Sequence, residues 1–241
     1  MLVSLDPLGE TARPVDTVQL LQKVPIFSDL NGEIVADLGK RVWQRTAEAG
    51  SVIVSQEEQG DALFVIASGK VKVVLYGETG REIILSMLGA GDFFGEMSLL
   101  DRQPRSANVV AVAESQLLGL DREAFQTHLT AHPSTGLAIL AEMSRRLRHA
   151  DEVIGNLALL DVYARVARVI RDLAQKQGEP VEGGLLVRGR PTQQEIAGLI
   201  GTSRETVSRA LNDFTRRGLL EMSGKQILVR WGFLRKLDEA V

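Results

Sequence analysis

Cysteine is absent from this 241-residue chain. That one absence removes disulfides, thiolate zinc sites, cysteine-ligated iron–sulfur clusters and thiol redox sensing. Histidine occurs only three times, so a haem or metal centre built on imidazoles has little to draw on. His128 and His132 are one helical turn apart, but with no third ligand in view they are expected at the surface, and no metal is expected. No apolar run reaches the roughly 18 to 20 residues that a membrane helix needs. The opening "MLVSLDPLGETARPVDTV" also lacks the basic-then-apolar order of a signal peptide. A cytoplasmic location without a membrane partner is the expectation. Aromatics make up 5% of the chain, yet 44% hydrophobic and 24% charged residues leave material for one large core or two modest ones.

The charge is unevenly divided. Residues 161–241 hold 14 Lys and Arg against 10 Asp and Glu, a balance of +4, while residues 1–160 hold 14 against 21, a balance of −7. A basic module behind an acidic one points to a polyanion meeting the C-terminal part.

Texture divides the chain in the same way. Residues 17–23 and 29–41 space apolar residues three and four apart and predict two short helices. From about residue 43 to 120, short β-branched runs ("SVIV", "ALFVIAS", "KVKVVLY", "EIILSML", "ANVVAVA", "SQLLGL") alternate with Gly-containing turns at the spacing of a β barrel or sandwich. Residues 134–160 contain no Pro and predict one long helix. Counted in sevens, Leu140, Leu147 and Ile154 share a seam, with Met143, Ala150 and Leu157 on its partner seam, as in a helix that pairs with a second copy. Ala150 is the small member and leaves room beside it. Another amphipathic helix spans 161–177 and ends near Gly178, "GEPVEGG" reads as a loop, and "LLVRG" as a short strand.

Two stretches carry chemistry. In "TQQEIAGLIGTSRETVSRALNDF", Ile196, Leu199 and Ile200 would pack one helix, and Val207 and Leu211 a second. Gly201 permits the tight turn between them, which is a helix-turn-helix. Thr192 or Thr202 can cap the helix starts, with Glu195 completing a capping box after Thr192. Ser203, Arg204, Glu205, Ser208 and Arg209 would be exposed on the second helix. Arginine forks fit the major-groove edge of guanine, and a carboxylate accepts from the amino group of cytosine. Thr192, Gln193, Ser203 and Thr206 lie where hydroxyls and an amide can meet phosphates. "GLLEMSGKQILV" reads as a hairpin wing with Lys225 near its tip.

The other stretch is "GEMSLLDRQPRSA", residues 95–107. "EMSLL" predicts a short helix after Gly95 whose first amides can face an anion. Arg105 adds a charged fork and Ser106 a hydroxyl. Glu96 fits such a site if it accepts from a sugar hydroxyl, so the stretch reads as a nucleotide cradle.

These residues resemble the cyclic-AMP receptor protein/FNR family of bacterial transcription regulators, over nearly all the chain after residue 17. "GEMSLL…PRSA" is similar to its phosphate-binding cassette, "IGNLALLDV" to the end of its dimerisation helix, and "QEIAGLIGTSRETVSRAL" to its DNA-binding helices. The resemblance implies an α+β chain: a cyclic-nucleotide-binding β-roll (a jelly roll) at 17–133, a dimerisation helix at 134–160 and a winged helix-turn-helix at 161–241. It also implies a homodimer on a palindromic operator, with RNA polymerase as a further partner and no enzymatic activity. By that similarity Gly95 and Glu96 meet the ribose, Arg105 and Ser106 the cyclic phosphate, and Met97, Ser98 and Ala107 complete the cassette. Arg204, Glu205 and Arg209 match the base readers of a half-site similar to TGTGA. One departure stands out, because where the family's well-known cyclic-AMP receptors present Thr-Ser to adenine, this chain has Ala150-Asp151. Asp151 can only accept when ionised, and guanine offers two adjacent donors. Cyclic AMP is the first expectation for the effector, with cyclic GMP, cyclic di-GMP or no ligand as alternatives. A phosphodiesterase, the competing enzyme class, would need a metal cluster or a nucleophile with its base, and neither is evident.

Overall fold

The computed structural model describes residues 17–28 and 30–238; the opening segment read for a signal peptide lies mostly outside them. The described residues divide into two units, one made of those up to 73 with 87–144, the other of 74–86 with 145–238.

In the first unit, α1 (Thr17–Gln22) and α2 (Gly32–Gly39) precede the β region. Asn31 starts α2 by accepting from the Ile34 amide at 2.9 Å. The strands that follow are β1 (Trp43–Ala47), β2 (Val52–Val54), β3 (Ala62–Ser68), β4 (Lys70–Tyr76), β5 (Glu82–Gly89) and β6 (Phe93–Phe94), with the residues of β4 and β5 between 74 and 86 counted in the second unit. After helix α3 (Glu96–Asp101) come β7 (Asn108–Ala111), β8 (Ser115–Asp121) and helix α4 (Arg122–Ala131). Two antiparallel sheets result, ordered β1-β8-β3-β6 and β2-β7-β4-β5. Strand β3 is buried on both faces over six of its seven residues, as a central strand made of "ALFVIA" must be. Phe64 stacks on Phe94 and makes a T-shaped contact with Trp43. Gly119 lies opposite Trp43 in the β1–β8 register, and a Cβ there would come within 2.3 Å of the indole. Strands β1 and β6 carry no β-branched run and were not separately legible.

Helix α5 (Pro133–Leu159) is continuous over 27 residues. Its Ile139 is buried in the core of the first unit, and Met143 packs against that core too. Met143 therefore serves its own β domain, whereas Leu140, Leu147 and Ile154 are each more than 60% exposed. His128 corrects the expectation of a surface histidine. It is 7% exposed, bonded to the Thr135 hydroxyl at 3.1 Å and set edge-on to Phe27. The α4-to-α5 junction closes over it, and no spacing along α4 alone reveals that.

In the second unit α6 (Val162–Gln177) is capped by Asp161, which accepts from the Ala164 amide. Next come β9 (Glu179–Val181), β10 (Gly184–Val187), α7 (Gln193–Ile200), α8 (Arg204–Arg216), β11 (Leu220–Ser223), β12 (Gln226–Arg230) and α9 (Trp231–Asp238). The sheet order is β11-β12-β10-β9, so the supposed loop "GEPVEGG" contains an edge strand. Pro180 sits opposite Leu185, and an edge strand tolerates its missing N–H. Val166, Ile170, Ile196, Val207, Leu211 and Ile227 are buried together in one core beneath the sheet and helices.

Candidate ligand cradle and nucleic-acid interface

The cradle lies wholly in the first unit and is organised by Arg105. Its guanidinium donates from Nη1 to the Gly95 carbonyl at 2.7 Å and from Nη2 to the Ala62 carbonyl at 2.7 Å. Its main chain is tied to the β2–β3 connection, donating to the Glu58 carbonyl and accepting from the Glu57 amide, both at 2.9 Å. Arg105 is 7% exposed. Burial pushes its guanidinium below the ordinary arginine range, and the charges of Asp61, Glu96 and Glu58 oppose that shift.

Two glycines make room for this fork. At Gly95, with φ of +88°, a Cβ would come within 2.5 Å of Arg105 Nη1. At Gly60 one would come within 2.6 Å of Arg105 Nε and of Ser98 Cβ. Helix α3 starts directly after Gly95 with no side-chain cap. Glu96 opens the helix and is 2% exposed. Ser98 and Ala107 are buried, while Ser106 is exposed with its hydroxyl 3.8 Å from Met97 Sδ.

Gly95, Glu96, Met97, Ser98, Arg105, Ser106 and Ala107 are thus brought together. Ala150 and Asp151 are exposed positions on α5, in the other unit. Sequence reading missed three contributors. Gly60 was only a turn signal, and Ala62 acts through its carbonyl. Arg122, which belongs to no motif, donates to the carbonyls of Gly60 at 2.6 Å and of Ser98 and Leu99 at 3.1 Å. It thereby ties α3 to the head of α4.

In the second unit Thr192 and Glu195 form a complete capping box, with Glu195 N to Thr192 Oγ1 at 3.1 Å and Thr192 N to Glu195 Oε2 at 2.6 Å. Gly201 closes α7 in the left-handed region at φ +65°, which relieves the strain a Cβ would impose there. Ser203, not Thr202, caps α8: its hydroxyl accepts from the Thr206 amide at 3.2 Å and lies 3.1 Å from Thr206 Oγ1. The hydroxyls nominated for phosphates at 192, 203 and 206 are therefore already engaged in local structure.

Arg204, Glu205 and Arg209 are exposed on α8, with Ser208 half-buried. The Glu205 carboxylate is held below its usual range by its own backbone amide first and then by the Ser203 hydroxyl, so it is an acceptor at neutral pH. A shallow cleft of about 460 Å³ opens beside the helix, lined by Tyr163, Arg209, Asn212, Asp213 and Arg216. Gln193 is half-buried at the first position of α7. Lys225 is exposed in the β11–β12 turn, where its carbonyl accepts from the Arg190 amide. No group of three or more potential metal ligands occurs among the described residues, and none of their helices is long and apolar enough to cross a membrane.

A sandwich with such a cradle, followed by a long helix and a winged helix-turn-helix, defines a class of ligand-responsive DNA-binding regulators. Comparison with known proteins places the chain within it. Residues 44–132 match the cyclic nucleotide-binding domain and residues 164–237 the Crp-like helix-turn-helix domain. The CRP-like cAMP-activated global transcriptional regulator of Mycobacterium tuberculosis is 35% identical over 88% of this chain and 94% of its own. The cAMP-activated global transcriptional regulator CRP of Escherichia coli is 36% identical over 74% and 85%. Among solved structures, that of the c-di-GMP responsive global regulator CLP of Xanthomonas campestris matches with a TM-score of 0.73 and 26% identity, covering 83% of this chain and 99% of that one. The chain belongs to the CRP/FNR family of transcription regulators.

Proposed function

We propose that this protein is a cytoplasmic, non-enzymatic homodimer that binds cyclic AMP in the first unit and, in response, a palindromic operator through α8, where it meets RNA polymerase. The observation that carries the reading is the joining of buried Glu96 and Arg105 in one cradle, on the same chain as an exposed Arg204, Glu205 and Arg209 array. In this reading 17–133 is the sensor, 134–160 the dimerisation helix and 161–241 the reader. Gly95 and Glu96 hold the ribose, and Arg105 and Ser106 the cyclic phosphate. Met97, Ser98 and Ala107 shape the cradle.

Dimerisation runs along Leu140, Leu147, Ile154 and Leu157, and their exposure supports it. Met143 contributes less, being packed on its own core. Arg204, Glu205 and Arg209 read bases, and Gln193, Ser208 and Lys225 flank them at the backbone. Thr192, Ser203 and Thr206 act there through the helix starts they cap. Two-fold half-sites lie about one turn of DNA apart, roughly 34 to 36 Å, so the effector must favour the dimer that presents its two α8 helices at that spacing. It does so only by binding that state more tightly than the other.

A second reading rests on Asp151. An acceptor where hydroxyls would suit adenine favours a guanine ligand, and the likeness to the c-di-GMP responsive regulator supports keeping it. Calorimetry of the purified protein against cyclic AMP, cyclic GMP and cyclic di-GMP, paired with gel-shift titration on an operator selected from random DNA, tests both readings. Binding and stimulation by cyclic AMP alone is the expected result, and stimulation by a guanine ligand alone transfers the conclusion to the second reading. Operator binding that no cyclic nucleotide alters would make the protein ligand-independent.

A further inference from the structure

An apolar groove of about 350 Å³ lies between three helices of the first unit, lined by Leu100 of α3, Leu129 of α4 and Pro133, Gly136, Leu137 and Leu140 of α5. Leu100 is 49% exposed and Leu137 70%. Large aliphatic side chains left open along a continuous groove mark a contact surface. The register of α5 says which contact. Seven residues before Leu140 stands Pro133, and seven before Met143 stands Gly136. Pro133 is therefore one heptad before Leu140 on the seam of Leu147 and Ile154, and Gly136 one heptad before Met143 on the partner seam of Ala150 and Leu157. A Cβ at Gly136 would meet nothing within 4 Å beyond its own stretch of helix.

We propose that this groove seats the first turns of α5 from a second copy of the chain, with the partner's Leu137 against Leu100. The proposal rests on the dimer reading above. In a two-fold interface each residue pair occurs twice, so Leu137 would in turn meet the partner's Leu100. Helix α3 thereby belongs to both the ligand cradle and the protomer contact. Leu100 lies four residues after Glu96 on that helix, so whatever the ligand does to α3 is felt directly by the partner. The groove is the point where one protomer's occupancy reaches the other.

The absence of cysteine from the chain makes the test clean. A tagged Leu100→Cys chain is co-expressed with an untagged Leu137→Cys chain, and the purified mixture is treated with a short bismaleimide. Co-expressed tagged and untagged Leu147→Cys chains serve as the seam control, and Leu100→Cys with Leu140→Cys as a second groove pair. The expected result is a covalent species of mixed tag from at least one groove pair, at a yield comparable to the control. Linkage in the control with none from either groove pair overturns the groove contact and leaves the dimer standing. Failure of the control as well refutes the dimer reading and this inference with it.

Discussion

Arg105 has two roles that substitution can separate. Replacement by Ala removes charge-assisted hydrogen bonds from the Gly95 and Ala62 carbonyls, each worth about 1.5–3 kcal/mol. It also removes a cation whose field reaches Glu96, a carboxylate with 2% exposure. The first unit should lose roughly 3–5 kcal/mol. At about 4 °C per kcal/mol for a domain near this size, its melting midpoint should fall by some 12–20 °C. Arg105→Ala would therefore abolish ligand response for the wrong reason. Arg105→Lys keeps the charge and loses the planar fork, so it should cost about one of those hydrogen bonds in stability and weaken cyclic AMP binding roughly 10- to 100-fold. The chain has two tryptophans, Trp43 in the first unit and Trp231 in the second. A Trp231→Phe background thus leaves Trp43 fluorescence to report the first unit alone during denaturation, with calorimetry for the ligand. A parental midpoint for Arg105→Ala would refute the structural role of the fork, and parental affinity for Arg105→Lys would refute its role at the phosphate.

Three further outcomes are expected. His128, pushed down to about 4 by burial first and then by His132 and Arg41, binds its proton more readily in the unfolded chain. The first unit should then lose up to about 3 kcal/mol as pH falls from about 6.5 to about 4. His128→Gln should flatten that part of a stability–pH profile measured by denaturant titration, and an unchanged profile would show the histidine is not its source. Arg122→Ala should weaken cyclic nucleotide binding about tenfold by releasing three carbonyls that fix α3, with ligand-free DNA affinity unaltered in gel shift; equal affinity for nucleotide would count against that role. Ser203→Ala should destabilise the second unit by about 1 kcal/mol in a Trp231-detected melt while Thr202→Ala leaves it alone, and the reverse order would contradict the cap at Ser203.

Periodicity made most of the fold legible because its elements carry their own signals. The Pro-free run of α5 after its first residue, the β-branched runs and the Thr192–Glu195 box are local patterns that local physics obeys. What escaped was set by neighbours far along the chain. Strand β1 is "WQRTA", and it is a strand because it pairs residue by residue with β8, some 70 positions later. His128 is buried because Phe27 and Thr135 close on it from two other elements. Strand β9, "EPV", looked like a loop because it holds Pro180 and is flanked by Gly178 and Gly183, yet an edge strand tolerates a Pro.

The cradle repeats that division at smaller scale. Its side chains stood out in the sequence because Gly-Glu and Arg-Ser are types suited to a sugar and a phosphate. Its supports were not, since a carbonyl from Ala62 leaves no mark on residue identity and Arg122 looks like any helix-start arginine. Yet these supports decide where α3 lies: Arg105 holds its beginning at Gly95, and Arg122 holds its later carbonyls at Ser98 and Leu99. Two arginines thus grip a six-residue helix too short to be stable alone. The two bonds to the Gly95 and Ala62 carbonyls use two of the five N–H donors of the Arg105 fork, which leaves three for an anion. An anion on that fork and the start of α3 would therefore share one guanidinium, so a shift of Arg105 toward the anion would be felt at Gly95, before any larger motion of the protein is considered.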